Sequence, residues 1–373
     1  MSDTLIPRLV RRISDIDASA WDALSDTGCC VSHAMLSSLE DSDSVGEGTG
    51  WHPHHLVLFD GDTPAAAMPL YEKLHSYGEY VFDWAWADAY HRQDLAYYPK
   101  WLCAVPFTPV PGVRLLARDD ATRAALVRVA RALADESGLS SMHVLLPDER
   151  EAALLAGAGF MLRRGVQFHW HNRGYRDFED FLAALNHGKR KKIRQERRRA
   201  AAHGLQHVWL DGHTASAADW AFFHHCYSST YALHLSPAFF PMLAERMPES
   251  VRLLVAYRDG TPVASAFFLL DAQALYGRYW GAVEDLPFVH FELCYYRAIE
   301  YCITHGVTRF EGGAQGEHKM SRGLEPVETR SAHWLRDARF ADAVDRFLER
   351  ESEGIDFYLG ELSERVPFRR ERP

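Results

Sequence analysis

Apolar and polar positions along this 373-residue chain change period in an order that occurs twice. Arg8-Leu-Val-Arg-Arg-Ile13 reads as a short strand, and the Ser and Asp residues of Ser14-Asp-Ile-Asp17 can cap the helix that carries Trp21 and Leu24. His55-Leu-Val-Leu-Phe59, the turn Asp60-Gly61 and Pro64-Ala-Ala-Ala-Met-Pro-Leu-Tyr71 have the form of a hairpin. Asp119 or Asp120 can cap a helix over residues 121–136, where Leu126, Val129, Ala130 and Leu133 recur at the helical period. A strand at 141–146 and a helix near 149–156 follow. Residues 41–50, rich in glycine and acid and without apolar period, read as a mobile loop.

The second half repeats this logic. Asp177 caps a helix in which Phe178, Phe181, Leu182 and Leu185 fall at i, i+3, i+4 and i+7, and a basic block extends it, giving one helix over 177–203. Helices at 217–233 and 237–246 precede a second hairpin, Val251-Arg-Leu-Leu-Val-Ala-Tyr257, Asp259-Gly260 and Pro262 to Leu270. After Ala274-Leu-Tyr-Gly-Arg-Tyr-Trp280 come a helix over 287–304 and a strand over 308–311. The pattern predicts a mixed α/β fold in two tandem domains of related architecture, residues 1–175 and 176–373. The length agrees, since single hydrophobic cores stop growing at roughly 250 to 300 residues.

A net charge of -10 argues against a general polyanion binder and against DNA as a partner. No run approaches the roughly 20 apolar residues of a spanning helix, and the N-terminus has no signal-like apolar stretch, so a cytoplasmic protein is expected. Six cysteines without a CxxC pair point to buried thiols rather than disulfides or zinc. His52, His54 and His55 lack Cys or Asp partners at ligand spacing, and no metal is expected.

The charge average hides one exception. Lys189-Arg-Lys-Lys-Ile-Arg-Gln-Glu-Arg-Arg-Arg199 carries cations most of the way round a helix, and like charges at i, i+4 repel. Acids such as Asp177, Glu179 and Asp180 could balance it, or an anionic partner could hold Lys189, Arg190, Arg194, Arg197 and Arg198. A second cluster, Glu311-Gly-Gly-Ala-Gln-Gly-Glu-His-Lys319 with Arg322, places Gln315, Gly316, Glu317, His318, Lys319 and Arg322 on a glycine-rich loop that a ligand could approach closely. In the strand Tyr276-Gly-Arg-Tyr-Trp-Gly281, Arg278 and Trp280 face one side and Tyr279 the other, and a guanidinium there needs an anion. His290 and Glu292 open the next helix, whose buried stripe is expected at Phe291, Cys294, Tyr295 and Ala298. Capping and general-base roles for Glu292 stay open. The first domain lacks such a concentration of ionisable groups and reads as scaffold.

These runs, together with Gln167-Phe-His-Trp-His-Asn-Arg-Gly-Tyr175 and Ser331-Ala-His-Trp334, resemble the predicted N-acyltransferases labelled peptidoglycan biosynthesis/recognition proteins, a GNAT-superfamily group similar to the Fem peptidyltransferases. The resemblance implies tandem GNAT-like domains and transfer of an acyl or aminoacyl group to an amine. Neither half carries the Arg/Gln-x-x-Gly-x-Gly/Ala pyrophosphate loop of that superfamily, and the corresponding Val283-Glu-Asp-Leu-Pro-Phe288 is acidic. The expected chemistry is attack of an amine on a thioester or aminoacyl ester, with Glu317 or His318 as base and Glu292 in reserve. Arg278, Lys319 and Arg322 would hold an anion or the oxyanion, and Tyr279, Trp280, His290, Gln315 and Gly316 would line the substrate. Acyl-CoA is the first donor considered. Aminoacyl-tRNA on the basic block is the alternative, and a non-catalytic recognition module for a peptide or nucleotide is the third reading.

Overall fold

The computed structural model describes residues 5–25, 28–231, 234–314 and 316–369, which form two compact α/β units. One comprises Met1–Gly165 with Glu328–Phe357, the other Val166–Val327 with Tyr358–Pro373. The sequence suggested a break at 175/176 and a contiguous second half. The chain instead divides ten residues earlier, and Glu328–Phe357 groups with the first unit.

In the first unit the expected hairpin is His55–Asp60 against Thr63–Met68, flanked by Ile6–Val10 and Leu116–Ala117 in a four-stranded antiparallel sheet. Trp51–Pro53, Leu70–Lys73, Lys100–Cys103, Ser141–Leu145 and residues 331–335 pair in that order; Lys100–Cys103 and Ser141–Leu145 run parallel. Asp119 caps the helix Asp120–Glu136 with a reciprocal box to Thr122, and its apolar side packs Leu126, Val127, Ala130 and Ala134 into the core. Residues 41–50 do not swing free. Ser42, Ser44 and Val45 are buried, and Gly46 bridges to Trp51.

The second unit is built on Gln206–Asp211, Val251–Arg258, Thr261–Leu270, Ala274–Ala282 and Arg309–Glu311, extended by residues 169–171. The helix expected over 177–203 is two, Phe178–Ala184 and His187–Ala201. Leu185 takes an extended backbone and Asn186 accepts from the Lys189 amide at 3.0 Å, so an N-cap interrupts what the apolar period alone would continue. The basic helix is not solvated all round either, because Ile193, Glu196 and Ala200 make a buried face.

Two irregularities re-aim side chains. Phe267 pairs with Tyr279 and Phe268 with Gly277, so Arg278 is the extra residue of a β-bulge. The next helix opens with Val289–Phe291, widens into a π-turn at Glu292–Tyr296 and resumes as Arg297–His305. The inserted residue shifts the buried stripe from Phe291 and Cys294 to Leu293, Tyr295, Tyr296, Ala298 and Ile299, and it turns Glu292 inward.

Candidate active site

The strand Arg309–Glu311 runs parallel to Ala274–Ala282 for three residue pairs and then stops. Gly312 and Gly313 turn the chain away, and Glu317–Arg322 winds into a tight 3-10 turn that ends on Gly323. Gly323 has φ +95°, and a Cβ there would stand 2.5 Å from the Phe181 ring, so both backbone and neighbour require glycine.

This turn gathers Lys319, His318 and Arg322, three of the residues that the sequence singled out. Lys319 is buried, donates to the Gly313 carbonyl at 2.7 Å and has no carboxylate partner among the described residues; burial pushes its ammonium down to about 8. His318 lies beside it on the outside, its Nε2 3.2 Å from the Tyr295 hydroxyl, and partial burial with Arg322 and Lys319 nearby holds the imidazole below its usual range. His290 lies between Tyr295 and Trp280, with ring centroids 5.7 and 4.4 Å away, and burial reinforced by His318, Arg322 and Lys319 brings it down to about 4. Both imidazoles are therefore neutral near pH 7.

Arg322 is buried but not waiting for a ligand. Its guanidinium donates to Glu196 at 3.1 Å and to the His318 carbonyl at 2.8 Å, and stacks 3.5 Å from the Phe291 ring centre. Glu196 also accepts from the Tyr296 hydroxyl. The single acid of the basic helix thus binds that helix to the turn, assisted by Lys189, whose Nζ is 3.3 Å from the Ser321 hydroxyl.

Other expected residues fall elsewhere. Glu317 is exposed and engaged by the Tyr358 hydroxyl at 2.8 Å and by Arg365 at 3.4 Å. Glu292 is buried, with Arg197 and Arg297 each 2.9 Å from the same carboxylate oxygen. Tyr279 packs against Tyr227 and Phe240 on the sheet face away from Trp280. Arg278 lies at the bulge, 5.2 Å from the Tyr279 ring, where its charge acts on Glu311. Gln315 lies outside the described residues.

Glu311, quoted in the motif but given no role from sequence, ends its strand buried. Arg309 pairs one oxygen at 2.9 Å, His169 approaches the other at 3.7 Å, and burial lifts the carboxyl to about 7. Neither this nor Glu196 could be read from spacing, because Tyr296 and Arg322, which meet Glu196, and His169, which approaches Glu311, lie 100 to 142 positions away.

The outer side of the basic helix borders a cavity of about 750 Å³ whose lining includes Phe178, Leu182, Arg190, Lys191, Arg194, Arg197, Arg198 and Arg297. Its two acids are matched, Glu179 with Arg194 and Glu292 with Arg197 and Arg297. Arg190, Lys191 and Arg198 make no ion pair among the described residues. Net positive charge over apolar side chains suits a phosphate-bearing ligand.

A family model described as peptidoglycan biosynthesis/recognition, FemAB-like, matches residues 12–370. The chain belongs to that family. No curated protein matches it significantly. Among solved structures, the C-terminal domain of a putative lysylphosphatidylglycerol synthetase from Agrobacterium fabrum is 12% identical with TM-score 0.55, covering 90% of this chain and 96% of that one. FemX is 11% identical with TM-score 0.54, covering 88% and 98%. L-PGS from Bacillus licheniformis is 12% identical with TM-score 0.53, covering 85% and 96%. At such identities the likeness is one of fold, and the mixed α/β fold expected from the sequence is present in this chain, in two compact units. Among its described residues no helix is long and apolar enough to cross a membrane.

Proposed function

We propose that this FemAB-like protein is a transferase that moves an aminoacyl or acyl group from a phosphate-bearing activated donor onto an amine acceptor in peptidoglycan metabolism in the cytoplasm. The observation that carries the reading is the cationic cavity on the helix His187–Ala201, tied through Glu196 and Arg322 to a turn that holds a neutral imidazole and a buried lysine. The family description and the names of the structural neighbours, FemX and the lysylphosphatidylglycerol synthetases, support the same class.

Acyl-CoA in the ordinary GNAT mode fits these residues poorly. The helix entry that would meet a pyrophosphate presents Glu284 and Asp285, and Phe288 caps it with a left-handed backbone and no side-chain bond. Cations instead line a 15-residue helix, about 22 Å at 1.5 Å per residue, which is longer than a pyrophosphate. Aminoacyl-tRNA therefore fits better than coenzyme A.

In the chemistry that follows, the acceptor nitrogen attacks the ester carbonyl, His318 takes the proton released from nitrogen, and that proton passes to the departing ribose oxygen. Lys319, still largely protonated near pH 7, stabilises charge on the carbonyl oxygen, while Arg322 positions the turn. Titration of the protein with bulk aminoacyl-tRNA, acetyl-CoA and coenzyme A tests the donor. Retention of tRNA with a steep loss on adding salt is expected, and saturable binding of coenzyme A alone would replace this donor with a thioester.

A further inference from the structure

The first unit is not poor in ionisable groups, as its sequence suggested. Folding brings together a buried network in which Lys100 donates to Glu79 at 2.9 Å, to Ser76 at 2.9 Å and to Asp83. The Tyr97 hydroxyl donates to the same Asp83 oxygen at 2.6 Å. Since that hydroxyl hydrogen is committed, the oxygen accepts from His143 Nε2 at 3.0 Å, with Ser141 also 2.8 Å from that nitrogen. His143 Nδ1 is then an acceptor and takes the Nδ1 hydrogen of His333 at 2.8 Å, and His333 Nε2 accepts from Ser331 at 2.8 Å. Every bond has one consistent direction, from Ser331 to the Asp83 carboxylate.

The two ends belong to different parts of this unit. His143 and His333 sit on the paired strands Ser141–Leu145 and residues 331–335. Glu79, Asp83 and Tyr97 sit on residues 76–98, which also carry the helix Trp84–His91, whose Trp86 ring centre is 4.9 Å from that of His333. Two imidazoles joined nitrogen to nitrogen need one acceptor, so the pair cannot hold two added protons. A first proton already creates a cation at a ring only 1% exposed, in the same network as Lys100.

We propose that the first unit carries a proton-controlled latch: the His143–His333 pair holds residues 76–98 in place through Tyr97 and Asp83 while both rings are neutral, and proton uptake releases that segment.

The groups facing the pair set the sign. Burial, with Lys100 behind it, holds His143 down to about 3, and burial with His143 and Arg163 holds His333 well below its usual range, so opening takes up two protons below about 6.5. Burial lifts Glu79 to about 7 against Lys100, so opening releases one proton between about 7 and 4.5. Lys73, brought down to about 7 by burial, contributes only above that value, and Asp83 lies below the range. The balance is one proton taken up, or about tenfold easier opening per pH unit between about 6.5 and 4.5.

Hydrogen–deuterium exchange of the full chain at pH 7.5 and 5.5, read as protection factors, tests this. Peptides within residues 76–98 should lose about tenfold in protection at the lower pH, while peptides of Val251–Arg258 and Thr261–Leu270 hold theirs. His333→Gln should flatten that pH dependence, and Tyr97→Phe should lower protection of the segment already at pH 7.5. Equal protection of residues 76–98 at both pH values in the unaltered protein would overturn the latch whether or not the variants fold, as would a fully retained pH dependence in His333→Gln.

Discussion

Glu196 and Arg322, 126 positions apart, form a buried ion pair at 3.1 Å between the most cationic helix of the chain and the glycine-rich turn that follows Glu311. One acid among the cations of residues 189–199 is thereby the joint between the cationic cavity and the turn that carries His318 and Lys319.

Removing one partner leaves the other charged and buried. Glu196→Ala is therefore expected to destabilise the protein by about 3 to 5 kcal/mol, the usual cost of breaking a buried pair. Urea unfolding monitored by tryptophan fluorescence measures it, and a loss under about 1 kcal/mol would mean that the pair is not formed as described.

Gly323 gives a backbone prediction. At φ +95°, with a would-be Cβ 2.5 Å from Phe181, Gly323→Ala should cost about 1 to 3 kcal/mol and lower the thermal midpoint. Phe181→Leu in the same background relieves the clash but not the dihedral, so it should restore only part of the loss.

Lys319 links pH to stability with a definite sign. Its pKa is lowered in the folded state to about 8 from 10.5, so the folded protein binds fewer protons than the unfolded chain between those values, and stability from this group rises as pH rises through that window. Near pH 7 the buried charge costs about 3 kcal/mol. Lys319→Met should then be at least as stable as the parent at pH 7 while losing transfer, and transfer by the parent should fall above pH 8. Thermal melts from pH 7 to 10 check the first part and the pH–rate profile the second.

Local patterns made much of the fold legible. The two hairpins, the Asp119-capped helix and the strand before Gly312 follow from period, Asp-Gly turns and caps that involve residues close in sequence. Legibility ended where one residue changes a register. Asn186 divides a helix that its apolar period would continue, the π-turn at Glu292–Tyr296 rotates the buried stripe, and the bulge at Arg278 interrupts strand alternation. At the site, the glycine-rich turn did bring Lys319, His318 and Arg322 together, but their roles depend on Glu196, Phe291 and Tyr295, which only the folded chain supplies. The network around Lys100 was invisible for the same reason: its members span residues 76 to 333.

In the proposed function, the cavity on the basic helix holds the phosphates of the donor. The most direct measurement is the salt dependence of bulk aminoacyl-tRNA binding by the parent and by Arg190→Glu/Arg198→Glu, two exposed or half-buried positions without ion pairs among the described residues, with thermal melts to confirm folding. The expected result is an unchanged melt, binding weakened by at least about tenfold, and a salt slope shallower by about 2, one for each phosphate that its arginine no longer neutralises. Equal affinity and equal slope for parent and variant would contradict it.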